Sequence, residues 1–109
     1  MRINIKATNI ELTPALKEFI DEKMNMLNKY YGNSIDVLNF DFEIEKTISN
    51  QNKGKIFRAE ANIDIPGTML RVEKTEADMY KAIDKVKDHL EIVIKRYKDK
   101  LDDRRKGKI

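Results

Sequence analysis

Thr75-Glu76-Ala77-Asp78-Met79-Tyr80-Lys81-Ala82-Ile83-Asp84 is the stretch whose reading decides the fold. Thr75 reads as an N-cap, because its hydroxyl can accept a bond from an amide of the first helical turn, and Asp78 resembles half of a capping box. A helix is therefore expected to begin at Thr75. Beyond it Tyr80, Ile83, Leu90, Ile94, Tyr97 and Leu101 recur at intervals of three, four or seven, so they line one side of a helix and must face a core. Lys81 and Lys85 fall on the opposite, exposed crest. Lys87 falls inside the apolar arc, between Tyr80 and Ile94, when successive residues are stepped by about 100°.

Upstream, residues 2–7 alternate: Ile3, Ile5 and Ala7 on one side, Arg2, Asn4 and Lys6 on the other, the pattern of a strand buried on one face. Thr13-Pro14 supplies a second N-cap, with proline at the first helical position, where its missing amide hydrogen does no harm. The helix it opens is expected to run to about Tyr30, with Gly32-Asn33 as a stop signal. Leu16, Phe19, Ile20, Leu27 and Tyr30 mark its buried side, and Lys23 projects into the same arc. A second strand over residues 37–48 places Phe40, Phe42, Ile44 and Ile48 inward and Asp41, Glu43 and Glu45 outward. The polar cluster 49–54 reads as a turn. A third strand over residues 57–65 follows, and Pro66-Gly67 then joins it as a hairpin to a short strand over residues 69–74.

The predicted order is β-α-β-β-β-α, an α+β fold. Since every strand has one apolar and one polar face, the expected packing is a four-stranded, mostly antiparallel sheet with two helices on one face. The length of 109 residues fits one domain, read as 1–101 with a flexible basic tail at 102–109.

Composition excludes several chemistries. The chain has no cysteine, which removes disulfide scaffolds and thiol catalysis and agrees with a reducing cytoplasm. No apolar run approaches the roughly 20 residues of a membrane span. Lysine and arginine number 22 against 19 acidic residues, a net +3 that by itself implies no nucleic-acid partner. The outer sheet face would carry Arg2, Lys6, Arg58 and Arg71 against Asp41, Glu43, Glu45, Glu60, Asp64 and Glu73, about −2, so it should not attract a phosphate backbone. Asp41, Glu43 and Glu45 point the same way, as acid-base or metal chemistry would require, but neither a histidine nor a glycine-rich loop accompanies them and a solvated strand face accounts for them. His89, the lone histidine, reads as a boundary residue. We expect no enzyme, metal or cofactor. Lys23 and Lys87 either snorkel from the helix borders or open together into a groove between the helices; in the second case Lys81, Lys85, Arg71 and Lys74 would extend a ridge able to contact phosphates.

Ile10-Glu11-Leu12-Thr13-Pro14-Ala15-Leu16, Lys23, Asp78-Met79-Tyr80-Lys81-Ala82-Ile83-Asp84, Leu90-Glu91 and Lys95-Arg96-Tyr97-Lys98 resemble, in order and spacing, the ribosome hibernation-promoting factors, also called ribosome-associated inhibitor or protein Y. The resemblance covers about residues 1–100. It implies a β-α-β-β-β-α fold similar to a double-stranded RNA-binding domain, in a cytoplasmic, non-catalytic bacterial or organellar protein. Such a protein occupies the mRNA and tRNA channel of the small ribosomal subunit in stationary phase or stress, touching 16S rRNA and neighbouring ribosomal proteins. Carried onto this chain, the expected RNA-binding residues are Lys23, Lys29, Arg71, Lys74, Lys81, Lys85, Lys87, Lys95 and Arg96, with Tyr80, Ile83 and Leu90 as core contacts. The expected state when free is a monomer, with no membrane partner and no small-molecule substrate. A general double-stranded RNA-binding module is the alternative. The chain departs from the family pattern at Met26 and His89, where members often carry lysine, and at Val93, where they often carry glutamine. Longer members continue into a second domain that pairs ribosomes, and both forms remain open for this chain.

Overall fold

A computed structural model describes residues 2–31, 35–48, 54 and 56–105. The elements follow the order β1 (Asn4–Thr8), α1 (Pro14–Asn25), α2 (Asn28–Tyr31), β2 (Asn39–Lys46), β3 (Phe57–Ile65), β4 (Thr68–Glu76) and α3 (Met79–Arg105). The strands form one sheet in the order β1-β2-β3-β4. β1 runs parallel to β2, with Asn4 beside Asp41 and Thr8 beside Glu45, while β2-β3 and β3-β4 are antiparallel. The α+β architecture and mostly antiparallel sheet are those expected from the alternation.

Alternation becomes two unlike faces. Phe40, Phe42 and Ile44 of β2, Ala59, Ala61, Ile63 and Ile65 of β3, and Leu70 and Val72 of β4 are buried on the inner face. From the helices Leu16, Ile20 and Met24 of α1 and Met79, Ala82, Ile83, Val86, Leu90 and Ile94 of α3 join the same core. Ile48, expected inward, is 89% exposed because β2 ends at Lys46, two residues before it. The β3-β4 hairpin turns through Pro66-Gly67, where Gly67 takes a φ of 86° that a side chain would strain.

Two helix boundaries differ from the sequence reading. Thr13 caps α1 as expected, accepting from the Leu16 amide at 3.1 Å, but α1 ends at Asn25 and the separate turn α2 carries Tyr30 and the buried Tyr31. Thr75 is not an N-cap: it lies in β4, paired with Arg58, because β4 stays extended for the full nine residues of β3. Asp78 caps α3 instead, its Oδ1 accepting from the Tyr80 amide at 3.0 Å and its carbonyl from the Ala82 amide at 3.0 Å. Starting the helix later lets Met79 fill the first inward position, which leaves Tyr80 40% exposed at the edge of the core. Tyr80 is therefore not a core contact, unlike Ile83 and Leu90. At its far end α3 passes Leu101 and continues to Arg105. The stop signal at Gly32-Asn33, residues 49–53 of the turn cluster and residues 106–109 lie outside the described residues.

The outer face presents a row of three glutamates in register, Glu43 beside Glu60 and Glu60 beside Glu73. Like charges directly opposed destabilise a sheet. Arg58, in the adjoining row, spans them: it donates to Glu45 at 2.7 Å and to Glu73 at 2.8 Å, and also to Glu43. Burial pushes the Glu43 carboxyl up, but the Arg58 hydrogen bond and charge, helped by Thr8 and Lys6, outweigh it and hold Glu43 below its ordinary value.

Replacing Asp78 by alanine should cost about 1 kcal/mol of unfolding free energy through loss of the cap, whereas Thr75→Ala should stay within about 0.5 kcal/mol, both read from urea denaturation. Because the folded-state pKa of Glu43 is lowered, its contribution to stability is present above the ordinary glutamate value near 4.5 and is lost as pH falls through the folded value. Glu43→Gln should thus be less stable than wild type at neutral pH, and the gap should narrow as pH falls below about 4.5; an equal gap at pH 7 and pH 3 would contradict the Arg58 pairing.

Candidate nucleic-acid interface

The nine predicted RNA-binding residues divide into groups. Lys74, Lys81 and Lys85 gather along the β4-α3 edge. Lys74 lies on the inner face of β4, opposite Ala59, and lines a shallow depression with Lys85, Asp88, His89 and Ile92. Lys81 and Lys85, one helical turn apart, reach back to Glu76, the last residue of β4. The Glu76 side chain is only 7% exposed; its Oε2 accepts from Lys85 at 2.7 Å and its Oε1 lies 3.7 Å from the Lys81 ammonium. Both lysines still open to solvent, Lys81 at 60% and Lys85 at 47%.

A second group surrounds Tyr30 and Glu91. The Lys29 and Lys95 ammoniums lie 5.1 and 5.4 Å from the Tyr30 ring centroid, close enough for cation-π attraction. Glu91 lies 3.6 Å from Lys87 and 3.9 Å from Lys95. Burial would raise the Glu91 carboxyl, but Lys87, a hydrogen bond from Tyr30, Lys95 and Lys29 together hold it below its ordinary value. Lys87 also approaches Asp88, at 3.6 Å.

Lys23 projects from α1 toward α3, where it meets Asp84 at 3.0 Å and lies 5.3 Å from the Phe19 ring centroid. The hydrogen bond to Asp84, opposed by burial and reinforced by the charges of Glu22 and Asp88, holds the Lys23 ammonium above its ordinary value. Phe19 in turn stacks edge-on against Tyr80, centroids 4.9 Å apart. Lys23 reaches from α1 to Asp84 of α3, whereas Lys87 is met by Asp88 and Glu91 of its own helix. Each of these two lysines is therefore accompanied by carboxylates.

Arg71 and Arg96 stand apart. Arg71 lies on the outer sheet face, the side opposite Lys74, and donates to Asn62 at 2.7 Å. Arg96 borders a depression with Thr68, Leu70, Val93, Tyr97 and Lys100. The β4-α3 ridge imagined from sequence thus keeps Lys74, Lys81 and Lys85 and loses Arg71, because neighbouring residues of a strand point to opposite faces. Glu76, Tyr30 and Glu91 were not anticipated as partners of these lysines, and Asp84, expected only to dilute the charge of α3, pairs with Lys23. The spacing of Glu91 four residues after Lys87 and four before Lys95 was a readable signal. Glu76 was hidden by the misplaced helix start. Among the described residues no group of three or more His, Cys, Asp or Glu side chains is placed so that it could hold a metal ion, and no helix is long and apolar enough to cross a membrane.

A four-stranded sheet with a polar outer face and two principal helices on the inner one, with Lys81 and Lys85 exposed on α3, defines an α+β domain. The chain matches the family of Sigma 54 modulation protein / S30EA ribosomal protein over residues 3–102 and belongs to it. It is 35% identical over 101 residues to the ribosome hibernation promotion factor of Bacillus subtilis (strain 168), covering 93% of this chain and 50% of that protein. With the ribosome hibernation promoting factor of Klebsiella oxytoca it shares 30% identity over 101 residues, 93% of this chain and 97% of that one. The crystal structure of the Thermus thermophilus protein Y N-terminal domain superposes with a TM-score of 0.71 at 30% identity, covering 89% of this chain and 99% of that one. The chain spans about half the length of the curated relatives from Bacillus, Deinococcus and Lactococcus, at 50%, 47% and 51%.

Proposed function

We propose that this chain is the ribosome-binding domain of a hibernation factor and inhibits translation by occupying the channel of the small ribosomal subunit where mRNA and tRNA lie. The observation that carries this reading is the family match over residues 3–102, among relatives named for ribosome hibernation. The distribution of charge supports it. Lys81, Lys85 and Lys95 are exposed on α3 and Lys29 on α2, while the carboxylates of β2 and β3 occupy the opposite face of the sheet. Contact through lysines fits recognition of the RNA backbone and its shape rather than of base sequence. Inhibition needs no chemical step: a protein lodged in the channel excludes initiation, and its release restores it. The partners are then 16S rRNA and neighbouring ribosomal proteins, and the place of action is the cytoplasm.

Within this reading the exposed lysines Lys81 and Lys85 at the β4-α3 edge, with Lys74 beside them, and Lys29 and Lys95 around Tyr30 are the principal phosphate contacts. Lys23, Lys87, Arg71 and Arg96 are secondary: Lys23 and Lys87 are largely enclosed and met by carboxylates of α3, and the two arginines lie away from both groups.

Lys81→Gln combined with Lys85→Gln should weaken co-sedimentation with small subunits at least about tenfold, and should lower the slope of log affinity against log salt by roughly 1 to 2, as expected when two phosphate contacts are lost. Glutamine is preferred to glutamate here because a reversed charge would crowd two further carboxylates against Glu76. Binding and salt slope equal to wild type would remove the β4-α3 edge from the interface. Equal affinity of the wild-type domain for an arbitrary RNA duplex and for small subunits would favour a general double-stranded RNA-binding module.

A further inference from the structure

Glu76 is an expensive residue where it stands. Its carboxylate is nearly enclosed on the inner side of β4, where taking a charge out of water is costly unless partners compensate. Asp78, not Glu76, supplies the cap of α3. Two partners of the Glu76 carboxylate are lysines of that helix. Lys81 and Lys85 are spaced i,i+4 on one helix, an arrangement in which two ammoniums repel. Both converge on Glu76, Lys85 through a 2.7 Å hydrogen bond and Lys81 as a looser ion pair at 3.7 Å. An ammonium has three donors, so each lysine keeps donors for a further acceptor after meeting Glu76.

We propose that Glu76 is a positioning residue for RNA recognition: its buried carboxylate holds Lys81 and Lys85 side by side as a preformed pair that receives a phosphate of the RNA backbone. This rests on the reading of the β4-α3 edge as an RNA surface. Lysine side chains lose considerable freedom when they bind, and a pair already ordered in the free protein has paid that cost before the RNA arrives. Lys85, more tightly held, is the fixed member. Lys81 is the adjustable one.

Positioning and simple charge dilution predict opposite signs. If Glu76 only subtracts from a positive ridge, Glu76→Gln makes the protein more positive and tightens its grip on a polyanion. If Glu76 orders the pair, Glu76→Gln weakens binding to the small ribosomal subunit by about three- to tenfold despite the added positive charge. Glu76→Asp separates the two accounts again, because it keeps the charge but shortens the reach; it should also weaken binding, whereas dilution leaves it unchanged. The measurement is equilibrium binding to purified small subunits, with thermal melts establishing that each variant is folded at the binding temperature. The effect of Glu76→Gln should largely disappear in a Lys85→Gln background, which a general structural role would not produce. Tighter or unchanged binding of folded Glu76→Gln overturns the inference, as does an undiminished effect without Lys85. Those outcomes leave the reading of the β4-α3 edge as an RNA surface intact provided that wild type binds and the double lysine variant binds at least about tenfold more weakly. Failure of the wild type to bind small subunits at low salt would instead overturn that reading, and the inference with it.

Discussion

Met79, Ala82, Ile83, Val86, Leu90 and Ile94 are buried where α3 lies against β3 and β4, and this contact sets the orientation of everything charged on that helix. Each large apolar side chain buried there contributes on the order of 1.5–3 kcal/mol relative to exposure, before the cost of ordering it. A rotation of one residue would turn the apolar arc by about 100° and carry ionised side chains toward the sheet. The helix therefore has one workable rotation. That rotation places Lys81 and Lys85 at the β4 edge, Asp84 against Lys23 of α1 and Glu91 against Tyr30 of α2.

The same core contact explains why carboxylates accompany the lysines. A lysine at the border of a packed interface can extend its stem over apolar surface, but its ammonium then sits where water is restricted. Lys23 and Lys87 are in this position, with side chains 23% and 18% exposed, and each is met by acidic residues of α3: Asp84 for Lys23, Asp88 and Glu91 for Lys87. On the outer face the logic is inverted. There the carboxylates are in excess and Arg58 is the enclosed partner. The two faces of the domain thus balance charge by different means, and they offer different surfaces to a polyanion.

Much of this could be read from the chain. The period-two runs around Phe40-Asp41-Phe42-Glu43-Ile44 and Ala59-Glu60-Ala61-Asn62-Ile63 announced half-buried strands, and Thr13-Pro14 and Pro66-Gly67 marked a helix start and a turn that the structure retains. The partial burial of Lys23 and Lys87 also followed from angle counting. The start of α3 did not. Thr75 is a good cap by residue type, but its place was settled by β3, whose nine residues keep β4 extended through Glu76. Local propensity and strand pairing competed there, and pairing prevailed.

What the sequence by itself determined was the four strands and two principal helices, their order, and which side of each strand is polar, because these depend on spacing within a few neighbouring residues. Tertiary structure alone decided which charges meet between different elements. Lys23 and Asp84 come from different helices far apart in the chain, and Arg58 joins Glu43 and Glu45 of β2, Glu60 of its own strand and Glu73 of β4. Glu76 became a buried partner of Lys81 and Lys85 only because β4 continues to it and α3 then turns back alongside. Ion pairing depends on distances of a few ångströms between separately folded segments, and periodicity carries no information about those distances.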